Sequence, residues 1–283
     1  MGIIYSVCNT SNMLSKHQAP IYSHEPYILC GYRPKLDFME CIKSIFSIHN
    51  QTVNIWTSIA LMLYNIWLTV HYTFIHPDMP TDIFVVFWMQ GFLRAYCWFN
   101  SGMYHTFVCH STSVSNLCCN MDYIGCYLTP LGIGTNLMFL EFYCNPEYKL
   151  LFISVGSMAC LVTIYLSLLE EYSKEKYRYF RMICSACSGL PWLVGLCVSI
   201  IVVHFKTTPR YYSYFLYGII CECIAGVFYV TMFPERAYPR VFDIWLSSHS
   251  IWHWLNFGFD TMMLKISHEA YLELMETNRC VSR

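Results

Sequence analysis

VNIWTSIALMLYNIWLTVHYTFI, residues 53–75, contains no Asp, Glu, Lys or Arg and is followed at once by the turn-forming HPDMPTD, residues 76–82. A helix rises 1.5 Å per residue, so a run of this length matches the roughly 30 Å hydrocarbon core of a bilayer. Six further apolar runs follow, at about 83–108, 120–142, 150–168, 182–204, 212–233 and 247–265, separated by polar connections such as EEYSKEKYRYFR. This pattern predicts an all-α fold, a bundle of seven transmembrane helices spanning residues 53–266, with an N-terminal segment 1–52 and a short tail 267–283.

The composition agrees. Apolar residues make up 56% of the 283-residue chain and charged residues 12%, against about 25% charged in an ordinary soluble domain. With a net charge of −1 and no basic run, nothing in the chain fits a nucleic-acid partner. The 16 cysteines include Cys97, Cys126, Cys160, Cys197 and Cys221 inside apolar runs, where cysteine is a small hydrophobe rather than part of a disulfide framework. The close pairs Cys184/Cys187 and Cys221/Cys223 lie within spans and lack the partner set of a zinc knuckle.

The first fifty residues are polar and interrupted by Pro20 and Pro26, unlike a cleavable signal peptide. Gly2 with Ser6 fits a loose myristoylation pattern, and Cys8 lies beside it as a candidate acylation site. In KLDFMECIKSIFSIHN, residues 35–50, Leu36, Phe38, Met39, Ile42, Ile45 and Phe46 form one helical stripe and Lys35, Asp37, Glu40 and Lys43 the other. This predicts an amphipathic helix lying in the membrane interface.

Lysine and arginine set the orientation. With a cytosolic N-terminus, the cytosolic side collects Lys16, Arg33, Lys35, Lys43, Lys174, Lys176, Arg178, Arg181, Arg236 and Arg240; the other side has Lys149, Lys206, Arg210, Lys265, Arg279 and Arg283. The C-terminus is then lumenal or extracellular, and the sequons at Asn9 and Asn50 stay unmodified.

Ionisable residues in a span are costly, and each marks a candidate site. His105, Asp122, His249 and His253 all fall at the cytosolic ends of their predicted helices. His249 and His253, four apart, share a helix face and with His105 could supply three nitrogens to one metal ion, leaving a fourth tetrahedral position for water. Asp122 is placed to hold and deprotonate that water, and Ser101, one turn before His105, to donate a hydrogen bond to Asp122 or to a substrate carbonyl. For any one histidine alone, a structural hydrogen bond would be the simpler reading; convergence at one depth favours zinc. Deeper, Arg94 and Asp260 lie at matched distances from the cytosolic ends of their helices and are expected to pair, with Glu222 as competitor.

HNQTVNIWTS at 49–58, SGMYHTFVCHS at 101–111, Asp122 with Tyr123, and SSHSIWH at 247–253 together resemble the progestin and adipoQ receptor family, over Pro26 to Lys265. The resemblance implies seven helices, a cytosolic N-terminus and zinc held by His105, His249 and His253, with Asp122 as the water-holding carboxylate. PYILCGYRP, CIKSIF, FYCN and PERAYP are most similar to a Golgi-resident branch that traps Raf kinase, implying a signalling scaffold on the Golgi membrane. Adiponectin-receptor-like members are similar to ceramidases, implying instead a zinc-dependent ceramide amide hydrolase, possible from the residues present. A receptor for a steroid, sphingolipid or adipokine-like ligand, in the Golgi or plasma membrane, stays open beside these. This chain has Gln51 and Ser58 where the family usually has Glu and His, which changes the polar network at the base of the first span.

Overall fold

The computed structural model describes residues 13–169, 175–205, 209–277 and 280. The candidate lipidation sites Gly2 and Cys8, the sequon at Asn9, and Lys174, Lys206, Arg279 and Arg283 of the charge count lie outside the described residues. Among the described residues the chain is helical, in the order α1 Phe38–Ser44, α2 Thr52–Phe74, α3 Thr81–Phe107, α4 Thr112–Glu141, α5 Pro146–Ser167, α6 Arg178–Val202, α7 Tyr212–Thr231 and α8 Ser248–Thr277.

Each apolar run therefore forms a helix. Four of them, α2, α5, α6 and α7, are both long and apolar enough to cross a membrane. The other three, α3, α4 and α8, are longer, at 27, 30 and 30 residues, but carry buried polar side chains that lower their hydropathy. These include Gln90, Arg94, His105, Asn136, His253 and Asp260. Helix α8 continues well past residue 265, because Met263, Leu264, Ile266, Ser267, Ala270, Tyr271 and Leu274 keep a buried face at helical spacing through a stretch too charged for a hydropathy count to include.

Helix α1 is started by its own side chains. The Asp37 carboxylate accepts from the Glu40 amide and Glu40 answers to the Asp37 amide, a capping box that satisfies two otherwise unpaired donors. Cys41 and Ser44 turn inward, while Phe38, Met39, Ile42 and Phe46 are exposed. Met39, Ile42 and Phe46 of the apolar stripe thus face outward, while Phe38 rests on His110 and Phe107.

The chain divides into two compact units. The first comprises Met1–Leu61, Trp98–Asp122 and Glu222–Phe257. Within it, Arg33 is buried and its guanidinium donates to the carbonyls of His105 and Thr106 and to Ser44 Oγ, at 2.6, 2.9 and 2.7 Å. A cation so placed satisfies carbonyls that the end of α3 leaves without intrahelical partners. Asn50 is buried here and its amide donates to the Gly31 carbonyl, so its sequon would go unmodified on either side of a membrane and does not report orientation. Gly31 itself sits at φ +84°, a conformation costly for any residue with a Cβ.

The second unit comprises Met62–Cys97, Tyr123–Cys221 and Gly258–Arg283. The expected pair is present: the Arg94 guanidinium meets the Asp260 carboxylate, both buried, and Asn65 Nδ2 donates to Asp260 at 3.0 Å. Further along, Glu141 accepts from Ser199, His204, Tyr211 and Tyr212 in one buried cluster. The indole of Trp192 in α6 lies where Cβ atoms at Gly134 or Gly156 would be, 2.1 and 2.3 Å away, so two glycines create its socket. Cys144 and Cys280 form a disulfide, and Cys30 of the first unit is disulfide-bonded too, links that a reading of cysteine as a small hydrophobe does not foresee. The five in-span cysteines named above are free, as expected.

Candidate metal centre

Two helices bring the histidines together in the first unit. Helix α3 delivers His105 in its last turn, where Arg33 holds the final carbonyls. Helix α8 delivers His249 and His253 from its first turns. Its start is fixed by Ser247, whose carbonyl accepts from the Ile251 amide, and by the buried Glu235 carboxylate, which accepts from the Ser248 amide at 2.7 Å and from the Ser248 hydroxyl. An anion at a helix N-terminus is favourable because the first amides point toward it.

One ligand nitrogen from each of His105, His249 and His253 can be chosen so that all lie within 4.8 Å of one another. His105 Nε2 and His249 Nε2 are 3.2 Å apart. His105 and His253 are buried and His249 is half-buried. Aromatic rings wall the group: Trp98 is edge-on to His253 at 5.3 Å between centroids, and Trp252 stacks on His249 at 5.7 Å.

The contacts of the outer nitrogens favour one tautomer at two of the rings. Thr57 Oγ donates to the Val53 carbonyl at 2.7 Å, so toward His253 Nδ1, 2.9 Å away, it is an acceptor. His253 Nδ1 then carries the proton and Nε2 is bare; Nε2 is buried and has no hydrogen-bond partner among the described residues. His105 Nδ1 lies 2.8 Å from Gln51 Oε1, which again leaves its Nε2 bare. Two imidazoles thus turn lone pairs into one small, largely dry space, and His105 Nε2 meets the third ring there. A cation could take the place of the His105–His249 hydrogen bond, because the three rings offer ligand nitrogens within 4.8 Å of one another.

The remaining predicted residues are less tightly gathered. Ser101 is buried and its hydroxyl is 3.1 Å from Ser58 Oγ rather than joined to Asp122. Asp122, in α4, hydrogen-bonds to none of the described residues; Tyr104, beside His105, has Asp122 and Glu25 among its electrostatic neighbours. Gln51, Thr57 and Glu25 form the support of the rings. Sequence reasoning marked Gln51 as a departure at the base of the first span but missed its contact with His105, and it missed Thr57 and Glu25 altogether. The signal was in view as HNQTVNIWTS, where Gln51 and Thr57 stand at the start of a span, but a neutral amide and hydroxyl carry no charge to flag them.

Helices fit to cross a bilayer and a buried group of three histidines define an integral membrane protein with a candidate metal centre. The chain belongs to the haemolysin-III-related family, whose model matches residues 46–258. It is 28% identical over 246 residues to progestin and adipoQ receptor-like protein 1 of Caenorhabditis elegans, covering 82% of this chain and 56% of that protein. It is 28% identical over 261 residues to the adiponectin receptor protein of Drosophila melanogaster, with 88% and 56% covered. Human progestin and adipoQ receptor family member 3 is 29% identical over 265 residues, with 89% and 82% covered. The chain spans just over half the length of the first two, and the expected family resemblance is borne out.

Proposed function

We propose that this protein is a seven-span receptor of the progestin and adipoQ receptor type, with a cytosolic N-terminus, a lumenal or extracellular C-terminus, and a zinc ion held by His105, His249 and His253. The observation that carries the metal is the buried Nε2 of His253, without a hydrogen-bond partner among the described residues and grouped with the other two imidazoles. Three neutral imidazoles suit zinc, and three protein ligands leave one tetrahedral position open. The receptor reading is supported by the family and by the names of the relatives. The exposed Phe38, Met39, Ile42 and Phe46 of α1 suit a helix lying in the lipid headgroup region on the same side.

The open position favours a second reading, hydrolysis of a lipid amide such as ceramide to a fatty acid and a sphingoid base. Zinc would supply there a polarised carbonyl and an acidified water. The Asp122 carboxylate would take the proton from the water and pass it to the leaving amine, and the Ser101 hydroxyl would hold the substrate carbonyl. Trapping of Raf kinase on the Golgi membrane belongs to the proposal through the motifs, with the residues before α1 as the docking segment.

Elemental mass spectrometry of detergent-purified protein tests the centre. About one zinc per chain in the wild type, absent from His253→Ala, is expected; no zinc in either sinks the centre and the hydrolase together. Ceramide cleavage by wild type but not by Asp122→Ala would select the enzyme, whereas a kinase tether survives that change and fails when the segment before α1 is removed.

A further inference from the structure

Gln51 Oε1 faces His105 Nδ1, but an amide has two ends, and turned over it would present its NH2 instead. His105 Nδ1 would then have to accept, the ring proton would move to Nε2, and the nitrogen facing the other histidines could no longer bind a metal ion. What holds the amide is therefore part of the centre.

Two groups touch it. Asn54 Nδ2 lies 3.0 Å from Gln51 Oε1, but Asn54 is itself an amide whose Oδ1 has no partner among the described residues, so it can turn with Gln51. Glu25 is different. Its Oε1 accepts from Gln51 Nε2, and an ionised carboxylate can only accept. Glu25 is held in turn: its amide donates to Tyr32 Oη at 3.0 Å, and Lys16 Nζ donates to its carbonyl at 2.6 Å.

We propose that Glu25 is a positioning residue of the metal centre: through Gln51 it fixes His105 in the tautomer whose Nε2 is bare. The inference rests on the zinc reading above. It also accounts for the chain's departure from the family pattern. A Glu at position 51 would accept from His105 directly, whereas here Gln51 relays an acidic group that stands one residue further out, in the N-terminal segment. Neutralising Glu25 removes the one partner of the Gln51 side chain, among the described residues, that cannot reverse, so the competing tautomer becomes populated and zinc binding must work against it.

The test is a zinc titration of metal-free protein in lipid nanodiscs, in competition with a fluorescent chelator. Wild type, Glu25→Gln and the double variant Glu25→Gln/Gln51→Glu are compared. The single variant should bind about 10-fold more weakly or worse, as loss of outer hydrogen bonds at metal-ligating histidines generally does. The double variant should return to wild-type affinity, because the carboxylate at 51 accepts from His105 without a relay. Unchanged affinity in the single variant overturns the proposal alone. Weakened binding that the double variant fails to restore also overturns it, reducing Glu25 to a strut of the N-terminal segment. A wild type that binds no zinc overturns the underlying reading and this inference with it.

Discussion

Thr57 Oγ stands 2.9 Å from His253 Nδ1 and 2.7 Å from the Val53 carbonyl, an arrangement in which a hydroxyl of α2 that donates to its own helix accepts from a ring on α8. Valine has the same shape without the acceptor. Thr57→Val should weaken zinc binding by about 10-fold, and Thr57→Ser should keep it, because the hydroxyl is retained. Equal chelator-competition curves for the wild type and the valine variant would show that His253 needs no such partner.

Arg94 and Asp260 form a pair buried in the second unit, and removal of either charge strands the other. Asp260→Ala should cost about 3–5 kcal/mol, read as a lower melting temperature in detergent. Removing both charges in Arg94→Met/Asp260→Asn should recover most of the loss, since the new amide can still accept from Asn65. A double variant as unstable as the single would mean that the ion pair stabilises the fold outright.

The alignment of His105, His249 and His253 was legible because charge in an apolar run is conspicuous and because helix length fixes depth; the same count joined Arg94 to Asp260. The role of Gln51, Thr57 and Glu25 was not, because it depends on which lone pair faces which ring, and spacing along a chain carries no such information. Hydropathy cuts helix α8 short for a related reason. Hydropathy averages over all faces, while the continuation to Thr277 is held by one buried face only. Asp122 is the reverse case: conspicuous in the sequence, yet joined by hydrogen bond to none of the described residues.

Cys144 and Cys280 are 136 residues apart in sequence and close a loop that contains α5, α6, α7 and α8. A link across so long a loop restricts the unfolded chain strongly, with a typical contribution of about 2–4 kcal/mol. Cys280→Ser should lower the melting temperature under non-reducing conditions, and a reducing agent should lower that of the wild type at least as far, since it opens the Cys30 bond as well. A wild type insensitive to reductant would indicate that the bond contributes nothing to the folded state.

His49 offers a pH test away from the candidate ligands. It is buried before α2, donates through Nε2 to the Ser44 carbonyl at 3.1 Å, and accepts at Nδ1 from the Gln51 amide at 3.1 Å, so a second proton has no place to go. Burial, helped by the charge of Arg33, pushes it down to about 3. In the unfolded chain its value returns to about 6.5, so below that pH the unfolded state takes up a proton that the folded state refuses. Its effect is absent above about 6.5 and erodes stability by about 1.4 kcal/mol per unit as the pH falls from there toward 3. His49→Gln keeps a donor and an acceptor but does not titrate. Its melting temperature should therefore fall less than that of the wild type between pH 6.5 and 4.5, a difference of about 2–3 kcal/mol over the window. Parallel pH profiles for the two proteins would mean that His49 accepts its proton in the folded state after all.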